Sequence, residues 1–244
     1  MNWIATWFSE LAYAVRALLR PDFGQHNAGH WQGTASGRRV PIRALGPRHR
    51  SAVLGHLLAL EPQDRYLRFG YAAQDAQIAH YVAGLDFARD QIFGIYNRSL
   101  RLVAVAHLAY AKDPRTDRCA EFGVSVLPQC RGQGMGSQLF ARAQVHARND
   151  RISLLFIHAL SENNAMLKIA RHAGATVERF GSESDAYLQL PMPTLQSRMS
   201  EAVDDQIALT DYRLKVQAKQ FWEILAGIQE VRKAVRASHG QSAS

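Results

Sequence analysis

Apolar residues in the central part of the chain follow two different periods. Between residues 38 and 193, short apolar runs typical of strands alternate with segments whose apolar residues recur every three or four positions, as in helices. The runs QIFGIY and LRLVAVAHLAY, separated by NRS, predict a β-hairpin. The whole pattern predicts the order β-α-α-β-β-β-α-β-α-β-β, which indicates an α/β or α+β domain.

Two further segments precede this domain. Residues 1–21 space their apolar residues three or four positions apart as far as Pro21, which predicts an amphipathic helix. Charged residues interrupt the apolar run, so neither a signal peptide nor a membrane span is expected. The helix either packs on the rest of the protein or contacts a membrane surface or another subunit. Residues 22–37, rich in Gly, Asn, Ser and Gln, are typical of a linker.

Residues 194–238 are predicted to form one long helix. Ten positions from Val203 to Val235 alternate spacings of four and three, and eight of them are apolar. A period of 3.5 residues over more than four heptads indicates a helix that needs a helical partner. The N-terminal helix of the same chain is one candidate partner. The same helix of a second subunit, which would build a homodimer, is the other.

Composition and charge indicate a globular protein with an excess of positive charge. The 244 residues are 47% hydrophobic, and 29 Lys and Arg outnumber 21 Asp and Glu, for a formal net charge of +8. This charge favours an acidic partner such as a nucleotide-like cofactor, a nucleic acid or an anionic membrane. Cys119 and Cys130 show neither metal nor disulfide spacing, so a reducing cytoplasm is the expected compartment.

Metal binding and nucleic-acid binding are the less favoured interpretations. The histidines at positions 107, 146, 158 and 172 share no ligand spacing, so no metal site is predicted. The basic segment RRVPIRALGPRHR could contact nucleic acid. It lacks interleaved aromatic residues and any known nucleic-acid-binding motif, so a solvated basic face is favoured.

Three closely spaced glycines, Gly132, Gly134 and Gly136, lie at the predicted junction of a strand and a helix. Glycine costs about 1 kcal/mol relative to alanine inside a helix, so the cluster needs a local reason. Without Cβ atoms, backbone N–H groups at a helix N-terminus can converge on an anion, and Arg131 adds a full charge. The spacing fits neither the dinucleotide fingerprint nor the P-loop. A pyrophosphate of another ligand is therefore expected.

The segment RGQGMG, Arg131 to Gly136, resembles the pyrophosphate loop Q/R-x-x-G-x-G/A of the GNAT N-acetyltransferases, which bind acetyl-CoA. A second segment, SENNAMLKIARHAGA, is similar to the ENxxAxxLYxxxGF segment of that family. The resemblance covers roughly residues 38–190 and is closest in character to the domains of bacterial protein lysine acetyltransferases. It implies the GNAT fold, a mixed and mostly antiparallel sheet whose fourth and fifth strands splay apart, for a domain at residues 38–193.

The resemblance also implies an acetyl-CoA site between the splayed strands. The pantetheine arm would bind strand backbone as an extra strand, with the thioester carbonyl near a backbone N–H, and the diphosphate would lie on the glycine loop. Asn163 occupies the position that typically contacts the cofactor. The implied cofactor-binding residues are Val124, Ser125, Val126, Arg131, Gly132, Gln133, Gly134, Met135, Gly136, Ser137 and Asn163.

Glu121 is the candidate general base. It lies two and four residues before Gly123 and Ser125, on their face of the predicted strand. Burial would raise the pKa of its carboxyl, which suits a base near neutrality. Members of the family that acetylate lysine carry a glutamate at what looks like this position. The alternative is a structural carboxylate paired with Arg101 or Arg118.

The general acid is where the chain departs from the family. Many members carry a tyrosine at the position that is Ala170 here. Ser161 or Tyr110 could substitute, or the thiolate could leave unaided. A further alternative is a weakly catalytic or non-catalytic regulatory protein that binds acyl-CoA.

The acceptor is expected to be a primary amine of a protein or a small molecule. The resemblance implies that the first two helices and their connection, EPQDRYLRFGY, form its site. The candidate substrate-binding residues are Arg65, Tyr66, Arg68 and Phe69. The alternative is a stable helix-turn whose arginine pairs with Asp64 or Asp75.

Overall fold

The computed structural model of the protein describes residues 40–111 and 118–241, with side chains described as far as residue 226. The predicted N-terminal helix and linker lie outside the described residues. The strands are β1 (Arg43–Leu45), β2 (Gln91–Tyr96), β3 (Leu102–Tyr110), β4 (Cys119–Val126), β5 (Leu154–Leu160), β6 (Thr176–Phe180) and β7 (Glu183–Gln189). The helices are α1 (Arg50–Leu58), α2 (Pro62–Phe69), α3 (Asp75–Ala83), α4 (Met135–Asn149), α5 (Asn164–His172) and α6 (Leu195–Gln241).

One seven-stranded sheet, in the order β1-β2-β3-β4-β5-β7-β6, forms the centre of the fold. β4 and β5 run parallel, and every other neighbouring pair is antiparallel. Side chains alternate between the two faces of the sheet, so each face receives its own layer of helices. On one face α4 packs over β4, where the rings of Phe122 and Phe140 meet at 4.9 Å between centroids. α1, α2 and α3 cover the other face.

Helix α2 is absent from the predicted order of elements, which had only a connection between two helices here. Pro62 begins the helix, where its missing N–H costs nothing, and Gly70 ends it with a left-handed φ of 78°. Both are ordinary start and stop signals. The segment between them has few apolar residues, so the apolar pattern alone did not reveal it.

The long C-terminal helix was predicted for residues 194–238 and spans Leu195–Gln241. Its first turns dock on α4, where Arg142 donates hydrogen bonds to Glu201 at 2.8 Å and Asp205 at 2.6 Å. Further along, the ring of Tyr212 lies 5.2 Å from that of Tyr96. Large apolar side chains stay exposed on another side of the helix: Met199, Val203, Ile207, Leu214, Phe221 and Ile224.

Within the described part of the chain, α6 included, no helix is both long enough and apolar enough to span a bilayer.

Candidate active site

β4 and β5 separate in the middle of the sheet. Their pairing covers only three residue pairs, from Cys119 opposite Leu154 to Glu121 opposite Phe156. Beyond that point β4 stays paired with β3 as far as Val126, and β5 stays paired with β7. The β5-facing backbone groups in the second half of β4 therefore have no partner strand, and a gap opens between β4 and β5.

Glu121 lies at the point where the two strands separate. Burial raises the pKa of its carboxyl above the usual value, and the Arg68 cation opposes part of this increase. Asp185 acts in the same direction as burial. A carboxyl in this environment holds a proton more readily than an exposed one, as a general base near neutrality must.

The two arginines considered as structural partners of Glu121 do not fill that role. Among the described side chains, no ion pair joins Glu121 to Arg101 or Arg118. Arg68 is instead its strongest positive neighbour.

A chain of polar side chains lies on the same face of the sheet as Glu121. The Arg68 guanidinium donates to the hydroxyl of Tyr81 at 3.1 Å, and that hydroxyl lies 2.8 Å from Nδ1 of His107. Nε2 of His107 lies 3.0 Å from the carboxylate of Asp90. With Nε2 donating to Asp90, a neutral ring leaves Nδ1 free to accept the Tyr81 proton.

Two members of this chain of side chains, Asp90 and Tyr81, have pKa values shifted in opposite directions. Burial acts to raise the pKa of Asp90, but hydrogen bonds from His107 and Arg89 prevail and lower it. Burial raises the pKa of Tyr81, so its hydroxyl keeps its proton at neutral pH. The sequence offered no signal for Tyr81 or Asp90, because they come from α3 and from the loop before β2 and meet only across the sheet.

Ser125 occupies the second half of β4 and is bound to a buried histidine of α1. Its hydroxyl lies 2.9 Å from Nε2 of His56, whose Nδ1 is 3.2 Å from the carbonyl oxygen of Leu102. Burial lowers the pKa of His56 to about 4, so the ring is neutral near pH 7 and Nε2 accepts the serine proton. A cavity of about the size of one water molecule lies beside Ser125, Arg68 and Tyr81.

The glycine loop has the geometry that anion binding requires. Gly132 and Gly134 both adopt a φ of 73°, a left-handed conformation that favours glycine. Gly134 is the N-cap of α4, lies exposed and has no side chain with which to cap the N–H groups of the first turn. A Cβ on Gly132 would have open space around it. The N-terminus of α4 therefore faces outward with its donors free for an anion.

The third glycine of the loop has a packing role. A Cβ at Gly136 would lie 3.2 Å from the Ile169 side chain of α5, so glycine allows α4 and α5 to approach closely. Of the other loop residues, Gln133 is exposed, and Met135 and Ser137 are partly buried in the first turn of α4.

Helix α2 contacts both elements of the predicted cofactor site. Asp64 forms an ion pair with Arg131 of the glycine loop. The Asn163 amide caps α5 by accepting from the Met166 N–H at 3.1 Å and donates to the Leu67 carbonyl at 3.4 Å. α2 therefore lies across the opening between β4 and β5.

The four candidate substrate-binding residues, all on α2, have different environments. Arg65 is held by three backbone carbonyl groups and by Asp75 at 2.6 Å. Phe69 packs edge-on against Tyr81, with 5.4 Å between ring centroids. Tyr66 is partly exposed. Arg68 points onto β4, so only this arginine of α2 reaches the centre of the candidate site.

The candidates for the general acid are placed as follows. Ala170 is fully buried in α5. The hydroxyl of Tyr110 donates to Asp150 at 2.7 Å, at the end of β3 opposite to the strand gap. The hydroxyl of Ser161, just after β5, donates to the carbonyl groups of Gly181 and Glu183. Neither hydroxyl is bonded to Glu121 or Arg68.

The basic segment before α1 has structural contacts in its described part. The Arg43 guanidinium lies 3.9 Å from the ring centroid of Tyr212 and is nearly buried. Arg50 donates to the backbone carbonyl groups of Val82, Ala83 and Leu85. Among residues 40–111 and 118–241, no three His, Cys, Asp or Glu side chains come together as a metal-binding group.

Comparison with known proteins agrees with this geometry. Residues 58–175 match the sequence model of the acetyltransferase (GNAT) family. The GNAT domain of S. lividans PAT is 20% identical with a TM-score of 0.52, over 61% of this chain and 89% of that one. An N-acetyltransferase from Staphylococcus aureus Mu50 is 14% identical with a TM-score of 0.50, over 63% of this chain and 100% of that one. No curated protein matches the chain.

Residues 58–175, just under half of the chain, therefore resemble the acetyltransferase (GNAT) family in sequence. The GNAT fold predicted from the glycine loop and the order of elements is confirmed. At these identities the solved structures show the fold and not the substrate.

Proposed function

We propose that the protein is an acetyl-CoA-dependent N-acetyltransferase that transfers the acetyl group to a primary amine by direct attack, with Glu121 as general base. The observation that carries this proposal is the position of Glu121. The partly buried Glu121 belongs to the last pair of β4 and β5, next to the gap in which a thioester and an amine would meet.

The residues of the loop fit the diphosphate of acetyl-CoA. The exposed N-terminus of α4 and the left-handed glycines present N–H donors, and Arg131, which pairs with Asp64, lies beside them. The backbone groups of Val124 to Val126 that face away from β3 have no partner strand. They could bind the pantetheine arm as a neighbouring strand would. When bound, acetyl-CoA supplies an activated acyl group.

The amine must lose a proton before or during attack, because a primary amine such as lysine has a pKa near 10.4 and is cationic at neutral pH. The Glu121 carboxylate would first attract the ammonium group and then take its proton. A backbone N–H in the unpaired part of β4 would stabilise the negative charge that develops on the carbonyl oxygen.

The acceptor can be identified together with the activity. Release of CoA thiol would be followed with acetyl-CoA and a panel of primary amines that includes spermidine and Nα-acetyl-lysine amide. We expect activity with at least one amine, and its loss in Glu121→Gln with unchanged binding of acetyl-CoA in calorimetry. An unchanged rate in Glu121→Gln would exclude the proposed base.

A second candidate function is that of a regulatory protein that binds acyl-CoA with little or no catalysis. The observation that favours it is Ala170, where many relatives in the family carry a tyrosine. Tight binding of acetyl-CoA without thiol release for any amine in the panel would support this function. Absence of binding would contradict both candidates.

A further inference from the structure

The site leaves one chemical requirement without an assigned residue. When the amide forms, the C–S bond breaks and its electron pair remains on sulfur. Ala170 cannot stabilise that charge, and the hydroxyl groups of Tyr110 and Ser161 are bound to partners outside the centre of the site. A positive or acidic group near the strand gap is therefore required, or the thiolate leaves unaided.

Arg68 is the positive group that lies at this gap. A Cβ on Gly123 would come within 2.7 Å of its Cζ, so the guanidinium packs directly on β4 at a residue that has no side chain. Gly123 lies between Glu121 and Ser125 on the same face, two residues beyond the last β4–β5 pair. The missing side chain of Gly123 thus makes room for a cation beside Glu121.

A hydrogen bond to a neutral hydroxyl group holds the guanidinium there. It donates to Tyr81 at 3.1 Å, and Tyr81 is oriented by His107, which is in turn held by Asp90. Among the described residues no carboxylate forms an ion pair with Arg68. Its charge is therefore available to a ligand in the gap, while the hydrogen-bond chain fixes its position.

We propose that Arg68 is a catalytic residue that stabilises the departing thiolate of coenzyme A. The inference rests on the proposed function. As the amine nitrogen forms its bond to the acetyl carbon, the C–S bond breaks and its electron pair moves to sulfur, beside Arg68. Glu121 passes the first proton of the ammonium to water before the attack and receives the second as the C–S bond breaks; the thiolate later takes a proton from solvent, so atoms and charge balance.

In this step Glu121 loses its negative charge while Arg68 keeps its positive charge. Before the reaction the Arg68 cation lies near the Glu121 carboxylate, which attracts it. Once Glu121 has accepted the proton it is neutral, and the full charge of Arg68 is left for the sulfur. The site is thus better matched to the charge of the transition state than to that of the bound substrates.

Binding of CoA itself tests this assignment without the need for an acceptor. The ionisation of the bound thiol would be followed by the ultraviolet absorbance of the thiolate against pH, with desulfo-CoA as the blank for tyrosine ionisation. Other groups near the site are Glu121 on β4, Tyr81 on α3, His107 on β3, His158 on β5 and Asp185 on β7. The Glu121 carboxylate disfavours ionisation of a nearby thiol. Each measurement is repeated in the Glu121→Gln protein, which lacks this negative charge.

We expect Arg68→Gln to raise the pKa of the bound thiol by about one unit or more, because it removes a nearby cation. Arg68→Lys should recover part of the shift, since it keeps the charge. Gly123→Ala should raise the same pKa with Arg68 present, because its Cβ displaces the guanidinium. Arg98→Gln, in the exposed turn between β2 and β3, is the matched control and should change nothing.

The turnover number of Arg68→Gln should fall at least tenfold, with a KM for acetyl-CoA near that of the wild type. A bound thiol whose pKa is the same in wild type, Arg68→Gln and Gly123→Ala would overturn the assignment of Arg68 and leave the proposed function intact. Failure of the wild-type protein to bind CoA in calorimetry would overturn both.

Discussion

Glu121 and Phe156 form the last backbone pair between β4 and β5. On one side of Glu121 along β4 the strand is paired with β5, and on the other side the gap between the two strands begins. This position explains how a partly buried side chain can be accessible to a substrate in the gap.

The pH dependence of activity should follow the ionisation of Glu121. A base must be deprotonated, so kcat/KM should fall as the pH drops through the pKa of this carboxyl, which burial places above the usual 4.5. In Glu121→Gln the rate should drop about 10²- to 10⁴-fold and this acidic limb should disappear. Glu183→Gln, an exposed glutamate on β7, should keep the wild-type profile.

The glycine loop can be tested for diphosphate binding by a substitution at Gly134. Gly134→Asp should abolish the binding of acetyl-CoA in calorimetry, because it adds negative charge at the N-terminus of α4. Backbone strain alone is controlled by Gly134→Ala and by Gly174→Ala, whose φ of 83° is also left-handed. Each alanine should cost about 1 to 2 kcal/mol in the free energy of unfolding. Full affinity in Gly134→Asp would argue against this site.

The docking of α6 depends on a partly buried ion-pair network around Glu201. Burial acts to raise the pKa of Glu201, but hydrogen bonds from His146, Asn149 and Arg142 prevail and lower it to about 2. The network should therefore stabilise the fold fully above about pH 4.5, and this contribution should be lost as the pH falls towards 2.

Loss of that carboxylate leaves Arg142 with one fewer partner in a buried position. Glu201→Gln should lower the free energy of unfolding by about 3 kcal/mol at pH 7 in urea denaturation. Glu223→Gln, on the exposed part of the same helix, should change it by no more than about 0.5 kcal/mol. Equal effects of the two substitutions would contradict the role of the network.

Buried His56 should make stability depend on mildly acidic pH. Its pKa of about 4 in the folded protein lies below the unfolded value of 6.5, so between these values the unfolded chain binds a proton that the folded one does not. The free energy of unfolding should fall by roughly 3 kcal/mol as the pH drops from 7 to 4. His56→Gln should flatten this slope, whereas His80→Gln, at an exposed position, should retain it.

The exposed apolar side chains of α6 predict self-association. They continue beyond Tyr212 and Lys215, which contact β2, as far as Phe221 and Ile224. Because another side of α6 is bound to its own domain, we expect the apolar side chains to pair with a second copy of the helix. If the segment beyond Val216 forms the interface, truncation after Val216 should convert the dimer to a monomer in light scattering, and a dimer that persists would exclude that segment as the interface.

Local signals in the sequence were sufficient for most elements of the fold. The hairpin of β2 and β3, the strand before Gly132 and the helix after Gly134 all depend on residues close together in the chain. Helix α2 was missed because the prediction relied on apolar periodicity, whereas the signals of this helix are its first residue, Pro62, and its C-cap, Gly70. The roles of the predicted site residues remain predictions.

The sequence by itself determined the positions of Glu121 and of the glycine loop, because a strand and a helix N-terminus are set by short-range patterns. Only the tertiary structure decided which side chains surround Glu121. Arg68, Tyr81, His107 and Asp90 come from different elements, and their meeting depends on the register of β3 against β4 and on the absence of a side chain at Gly123. These residues are far apart in the chain and become neighbours only when the sheet and its helices have formed, so short-range sequence patterns cannot reveal the contacts.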